Sequence, residues 1–439
     1  MHRRILAALR HPISRNVISL YWLQIAQFII PIITLPYVAR VLEPSAYGLV
    51  VFSQGLAFVL ILFIDWGFGF TATRSVAENQ GDREALSRIV PRVRGGQLVL
   101  AGASLPVILA AMLVVAKLHS HPGFVLMAWV AAVASALIPA WYFIGTEQPP
   151  RVTQVQIAVR ALGAALTFLL VKDAGDAWIV MALFTASSLV GLAAGDVMMY
   201  RQIAFRPPAL RGALHEIRHA TALFIGMVGV ALYGTFNVLL LGLLRSNADV
   251  AHFGAAERVV RVSLTMLGPI GMAVLPRLIA LQAAGRRDRA RALLVATGAA
   301  AAVPVLLLTA GFVILAPTVI GIVYGQRFVD DAAPILRVLA LLIPIGLTGV
   351  SFGAWLITQH RDRVCTYIVL VAGTFNLAVG TLLTLSFGPI GMAWSVVAAE
   401  AVAALGGFLV VTWDARRRRA QVVVEPSPVQ LVLPIEPRG

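Results

Sequence analysis

The stretch YGLVVFSQGLAFVLILFIDWGFGF, residues 47–70, runs for 24 positions with Asp65 as its one charged side chain. At ~1.5 Å per residue, a helix of that length crosses the ~30 Å hydrocarbon core of a bilayer. Apolar and polar positions do not alternate in it, and lipid admits only helices or closed barrels, so a helix is the reading. The rest of the chain repeats the pattern: of 439 residues, 59% are hydrophobic and 13% charged, against roughly 45–50% and about 25% in soluble domains. The composition therefore specifies an all-α integral membrane protein.

Working outward from this stretch, about twelve spans satisfy the length criterion. They lie near 17–39, 47–70, 95–117, 122–143, 153–172, 177–200, 220–243, 250–280, 292–316, 333–358, 365–385 and 389–412. Arginines cluster before the first span and after every even-numbered one, as in Arg83 to Arg94, Arg201 to Arg218, Arg286 to Arg291 and Arg416 to Arg419. By the positive-inside rule those segments and both termini face the cytoplasm. The division that follows is a basic amphipathic N-terminus (1–16), a six-helix lobe (17–200), a basic linker (201–219), a second six-helix lobe (220–412) and a basic, proline-containing tail (413–439). The net charge of +15 is then a topology signal plus attraction to anionic membrane lipids, and nucleic acid is not expected as a partner.

One cysteine, Cys365, excludes an intrachain disulfide framework or thiolate cluster. His215 and His219 are four apart but sit in an Arg-rich segment without a third ligand nearby, so a solvated face is the better reading than a metal site. No metal or organic cofactor is expected.

The chain also repeats internally. WYFIGTEQPPRVTQVQIAVRA (141–161) is matched by WLITQHRDRVCTYIVLVAGTF (355–375), and Trp178 and Trp394 follow at similar places in the next spans. Six spans per half is an even number, so the halves share one orientation and relate by a pseudo-twofold axis along the membrane normal.

LPYVARVLEPSAYG (35–48), FIDWGFGFTATRSVA (63–77), WYFIGTEQ (141–148) with Arg160 downstream, PRL (276–278) and GPIGMAWSVVAAE (388–400), in that order, resemble the Wzx-type polysaccharide flippases. That family shares a superfamily with the multidrug and toxin extrusion (MATE) transporters. The resemblance implies a MATE-like fold and no enzymatic activity. It also implies movement of an undecaprenyl-pyrophosphate-linked oligosaccharide from the inner to the outer leaflet of the bacterial cytoplasmic membrane, for O-antigen, capsule or exopolysaccharide assembly. A polysaccharide polymerase and glycosyltransferases of the same pathway would be its partners.

GAAERVVRVSLTMLGP (254–269) places Glu257, Arg258 and Arg261 in apolar sequence. Counted from residue 250, Arg258 lies ~12 Å and Arg261 ~17 Å along the helix, at membrane depth. An arginine near the bilayer centre costs at least about 2.5 kcal/mol unless it meets water or a partner. Glu257, four residues ahead of Arg261, is in the favourable order for an ion pair. Three readings stand: a cavity-lining contact for a lipid pyrophosphate, a structural ion pair between lobes, or an outward contact with lipid headgroups. Arg160 and Arg337 within spans, Arg40 at an outer end, and Arg74 and Arg277 at cytoplasmic ends extend the candidate cationic path. Snorkelling to lipid phosphate is the competing reading for Arg74 and Arg277. Asp65, Glu400 and Glu257 are candidates for coupling to a Na+ or H+ gradient, since a desolvated carboxylate needs a cation or a proton. Asp65 is also open to a helix-end contact or a pair with Arg74. Pro31 and Pro269 are hinge candidates. The nearest rival is a cation-coupled drug exporter of the MATE type, whose site should be richer in carboxylates than arginines. A membrane enzyme of polysaccharide assembly ranks lower.

Overall fold

The computed structural model describes residue 30 and residues 33–424 apart from 266 and 360. Pro31, the 1–16 segment and most of the first expected span lie outside the described residues. Every regular element among those described is helical. Among the described residues eight helices are long and apolar enough to cross a membrane, or nine when one bent pair is counted as a span, against the twelve spans expected. The fold is all-α and MATE-like.

In the N-terminal half, α1 (33–41) leads into α2 (Pro44–Asp65), α3 (Phe68–Glu78), α4 (Arg83–Val114) and the short α5 (Ala116–Ser120). Next come α6 (Pro122–Leu137), α7 (Ala140–Gly145), α8 (Pro149–Leu170) and α9 (Ala177–Tyr200). The stretch 47–70 is not one helix. It breaks at Trp66 (φ 47°) and Gly67 (φ 87°), both left-handed, and α3 starts on a new course. Pro44 opens α2 in the first turn, where its missing N–H costs nothing. α4 begins at Arg83, well before the expected span at 95, so Arg88, Arg92 and Arg94 are helical rather than in a loop.

The C-terminal half contains α10 (Ala213–Tyr233), α11 (Phe236–Leu244), α12 (Asn247–Thr265), α13 (Gly268–Ala283), α14 (Arg287–Tyr324), α15 (Val329–Leu339), α16 (Leu342–Thr358) and α17 (Asp362–Val424). α10 and α11 form the bent pair, turning 54° at their junction. The expected eighth span is split between α12 and α13, with Pro269 in the first turn of the latter rather than inside a continuous helix. α17 folds back on itself at Gly388 (φ 65°, ψ −144°) ahead of Pro389, so that Ser395 reaches Asn376 at 3.1 Å. It thus supplies both expected spans 365–385 and 389–412. The repeat has a structural echo: Trp141 and Trp355 are both buried, whereas Trp178 and Trp394 are both exposed.

The two halves meet chiefly through α2 and α12. On α12, every residue from Val250 to Ala256 is buried, but Arg261 is exposed. On α2, burial is dense from Tyr47 to Ala57 and sparse beyond. The halves are therefore pressed together at the end away from the basic loops and loosen toward the middle; on the side of the basic loops they touch again, where α10 packs on α3 and α4. At that tight end Gly48 has no room for a side chain, since a Cβ there would stand 1.7 Å from the Asn247 carbonyl oxygen.

Candidate functional site

Arg258 lies where the tight contact between halves gives way. It is half-buried, and its Nη2 donates to Gln54 Oε1 on α2 at 3.1 Å. Tyr47 and Tyr324 are within electrostatic reach of it. One turn further along, Arg261 donates to Glu257 and to the carbonyl of Gly234, the latter at 3.1 Å. The Gly234 carbonyl is available because the bend between α10 and α11 interrupts the helical ladder there. Two guanidinium groups three residues apart thus point to different neighbours, one to the opposite half and one to a helix break in its own. The Glu257 side chain is 14% exposed and that of Arg261 44%, so this ion pair borders open space rather than packed core.

The other expected site residues are dispersed. Arg160 is exposed on α8, a helix with few buried residues, and no described contact joins it to Arg258 or Arg261. Arg40 donates to the Ile322 carbonyl at the end of α14, which makes it part of the seal between halves rather than of an interior site. Arg74 is exposed and pairs with Glu78 at 2.8 Å, and that pairing raises its pKa further. Arg277 is exposed on α13. Arg337 donates to the Val313 carbonyl at 3.2 Å.

Of the carboxylates, Asp65 ends α2 beside the start of α3, its oxygens 3.5 and 3.6 Å from where a Cβ on Gly69 would stand, while Arg74 pairs with Glu78. Glu400 is half-buried in the C-terminal half, with Oε1 against Gly349 of α16 and Tyr233 of α10 nearby. Among the described residues, no three His, Cys, Asp or Glu side chains gather as a metal site would require.

Sequence reasoning missed several residues. Arg94 is 3% exposed, pairs with Asp196 on α9 and donates to the Leu137 carbonyl. Its neighbours Arg88 and Arg92 made it look like one more basic-loop arginine, although Asp196 is a lone acid in an apolar span and asks for a cation. At the tight end, Lys117 Nζ donates to the Arg245 carbonyl at 3.0 Å and lies 4.9 Å from the centre of the Phe52 ring. Arg245 in turn donates to the carbonyls of Thr384 and Leu385 at 2.9 and 2.7 Å. Tyr47, Tyr324 and Phe328 complete this closure as an aromatic cluster. Within the C-terminal half, Asn376 Nδ2 donates to Asn237 Oδ1 at 2.7 Å, and its own Oδ1 accepts from Ser395. All three are buried.

The family model described as polysaccharide biosynthesis protein matches residues 13–282. A protein of Escherichia coli (strain K12) named "Putative O-antigen transporter" is 27% identical over 401 residues, covering 88% of this chain and 94% of that protein. One of the same name from Shigella dysenteriae is 25% identical over 401 residues, covering 89% and 98%. Among solved structures, the inward-facing conformation of a multidrug resistance MATE family transporter of the MOP superfamily aligns with a TM-score of 0.70 at 15% identity, over 94% of this chain and 100% of that one. The lipid II flippase MurJ in an inward closed conformation aligns at 0.63 and 12% identity, over 89% and 87%. At these identities the structural likeness is one of fold.

Proposed function

The chain belongs to the polysaccharide biosynthesis protein family, and from that premise we propose that it moves an undecaprenyl-pyrophosphate-linked oligosaccharide across the bacterial cytoplasmic membrane, from the inner to the outer leaflet. Both termini and the basic loops face the cytoplasm, and the tight end, poor in cations, faces outward. The named relatives in Escherichia coli and Shigella dysenteriae, transporters rather than enzymes, support the glycan as cargo.

The observation that carries this reading is the placement of Arg258. It bridges to the other half through Gln54 at the point where the two halves separate, with the Glu257–Arg261 pair one turn away. A pyrophosphate carries about two negative charges over several oxygens, and a guanidinium fork matches two of them at once. Headgroup oxygens that bind Arg258 compete with Gln54 for its donors and so loosen a link between halves. In this reading cargo enters from the cytoplasmic side while the external end is shut. Opening of that end, with the cytoplasmic side closing, would release it outward. Arg160 and Arg337 serve this reading as electropositive steps on the approach, and Arg74 and Arg277 as the cytoplasmic entry. Arg40 acts on the seal.

Coupling to a Na+ or H+ gradient falls in this reading to Glu400 and Asp65, which among the described residues have no cationic partner, whereas Glu257 is paired with Arg261. The test is deletion of the gene, followed by assay of which leaflet holds polyprenyl-linked oligosaccharide. Accumulation on the inner leaflet, restored by the wild-type chain, is expected. Unchanged lipid-linked pools together with new sensitivity to organic cations would overturn the proposal in favour of a drug exporter.

A further inference from the structure

At the basic end of the N-terminal half a groove of about 430 Å³ is lined by Arg83, Glu84 and Ser87 from the first turns of α4, and by Arg201, Gln202 and Arg206 from the chain that leaves α9 toward α10. Three arginines face one concavity, yet among the described residues none of the three has a carboxylate within ion-pair distance. The one acid in the groove, Glu84, is paired with Arg88 at 3.8 Å. Like charges converging on one groove raise its potential and attract an anion.

Ile203 is buried in the same apolar cluster as Val90 and Met199. The Ala209 N–H donates to the Pro91 carbonyl at 2.8 Å, and Gln202 accepts from the Tyr142 hydroxyl at 3.3 Å. The segment joining the two halves is thus pinned along α4, with Arg201 and Arg206 in one groove with Arg83. In the same segment Phe205, between the groove-lining Ala204 and Arg206, is 68% exposed and Leu210 62%. An exposed aromatic between two arginines suits a membrane interface, where the ring meets acyl chains and the cations meet headgroups.

We propose that this groove is a binding site for a phosphate-bearing anion, a phosphodiester headgroup of an anionic phospholipid at the cytoplasmic surface, held by Arg83, Arg201 and Arg206 and tying the interhalf segment to α4. The site lies apart from Arg258 and Arg261 and does not depend on the cargo assigned above. Its volume falls in the range of small-ligand sites, about 300–1,000 Å³, which is ample for a headgroup. A free phosphate would use the same three forks, but would gain nothing from Phe205 and Leu210.

The experiment uses the full chain purified in detergent. Native mass spectrometry measures retention of phosphatidylglycerol against phosphatidylcholine, and thermal unfolding is followed with phosphatidylglycerol or with inorganic phosphate alone. The wild type and a control variant, Arg286→Gln/Arg289→Gln/Arg363→Gln, are expected to retain phosphatidylglycerol with equal affinity. The Arg83→Gln/Arg201→Gln/Arg206→Gln variant should lose at least tenfold. A unfolding shift with inorganic phosphate that the triple variant lacks would keep the site and make its ligand a soluble phosphate. Equal retention by triple variant and control, or no response of folded wild type to either phosphate source, would overturn the proposal. If the triple variant misfolds, the single reversal Arg206→Glu takes its place with the same expected loss.

Discussion

Arg258 on α12 donates a hydrogen bond to Gln54 on α2 at 3.1 Å, across 204 positions of sequence and from one half of the protein to the other. Arg258→Ala removes both this link and the proposed pyrophosphate fork, and we expect glycan export to fall at least tenfold at normal protein level. Arg258→Lys keeps the charge without the fork and should retain part of the activity. Gln54→Ala leaves the guanidinium free for cargo and should cost less than Arg258→Ala. Full export by an abundant Arg258→Ala/Arg261→Ala protein would remove the pyrophosphate contact from the mechanism.

The Glu257–Arg261 pair borders open space, so its coupling should be modest. A double-mutant cycle of Glu257→Ala and Arg261→Ala, read by chemical or thermal unfolding in detergent, is expected to give about 1 kcal/mol or less. Export should separate the two residues: Arg261→Ala lowers it sharply, while Glu257→Gln frees a guanidinium and slows release. A coupling of several kcal/mol with unchanged export would identify the pair as purely structural.

Arg94 and Asp196 form a pair whose cation is buried. Either partner alone, replaced by leucine, leaves an uncompensated charge and should destabilise by about 3–5 kcal/mol. The double replacement should recover most of that loss, because no charge then remains to be desolvated. Unfolding midpoints of the four proteins decide it.

Gly48 faces the Asn247 carbonyl with no space for a Cβ. Gly48→Val must therefore part α2 from α12 at the external end. A disulfide engineered across that end should form readily in an otherwise wild-type background and at less than a tenth of the yield with valine at 48.

Lys117 sits in α5, the short turn between two spans. Burial pushes its ammonium down to about 8 from the ordinary 10.5, with Asp249 opposing the shift more weakly. When the halves part and Lys117 is hydrated, it regains the ordinary value. The joined state therefore binds fewer protons between about pH 8 and 10.5, and closure of the external end strengthens as pH rises through that window. The unfolding temperature should rise from pH 7 to pH 9.5 by more in the wild type than in Lys117→Met; an identical rise in both would exclude this contribution.

Much of this was legible in the sequence, and what was missed has physical causes. Hydropathy reports how long a segment stays apolar, not whether it stays straight, so 47–70 read as one helix although Trp66 and Gly67 turn left-handed within it. Which neighbour Arg258 and Arg261 each face was not readable, because Gln54 and Gly234 come from distant segments. Arg40 looked like part of a cationic path; its carbonyl acceptor on α14 could not be foreseen, since any backbone oxygen can play that part. Arg94 was hidden among neighbours of the same charge, and only Asp196 carried a hint of it.

The 54° bend between α10 and α11 makes the Gly234 carbonyl the fulcrum of a lever. That oxygen accepts from Arg261 and from Asn237 Nδ2, each at 3.1 Å, so a guanidinium proposed to hold cargo also loads the pivot. Midway along α10, Phe224 stacks on Trp66 of the opposite half, ring centres 3.7 Å apart. In the proposed cycle, an anion that draws Arg261 off the pivot would change the force on a helix that rests at its middle on the other half, and displacement at the headgroup would pass toward the basic loops without a separate relay.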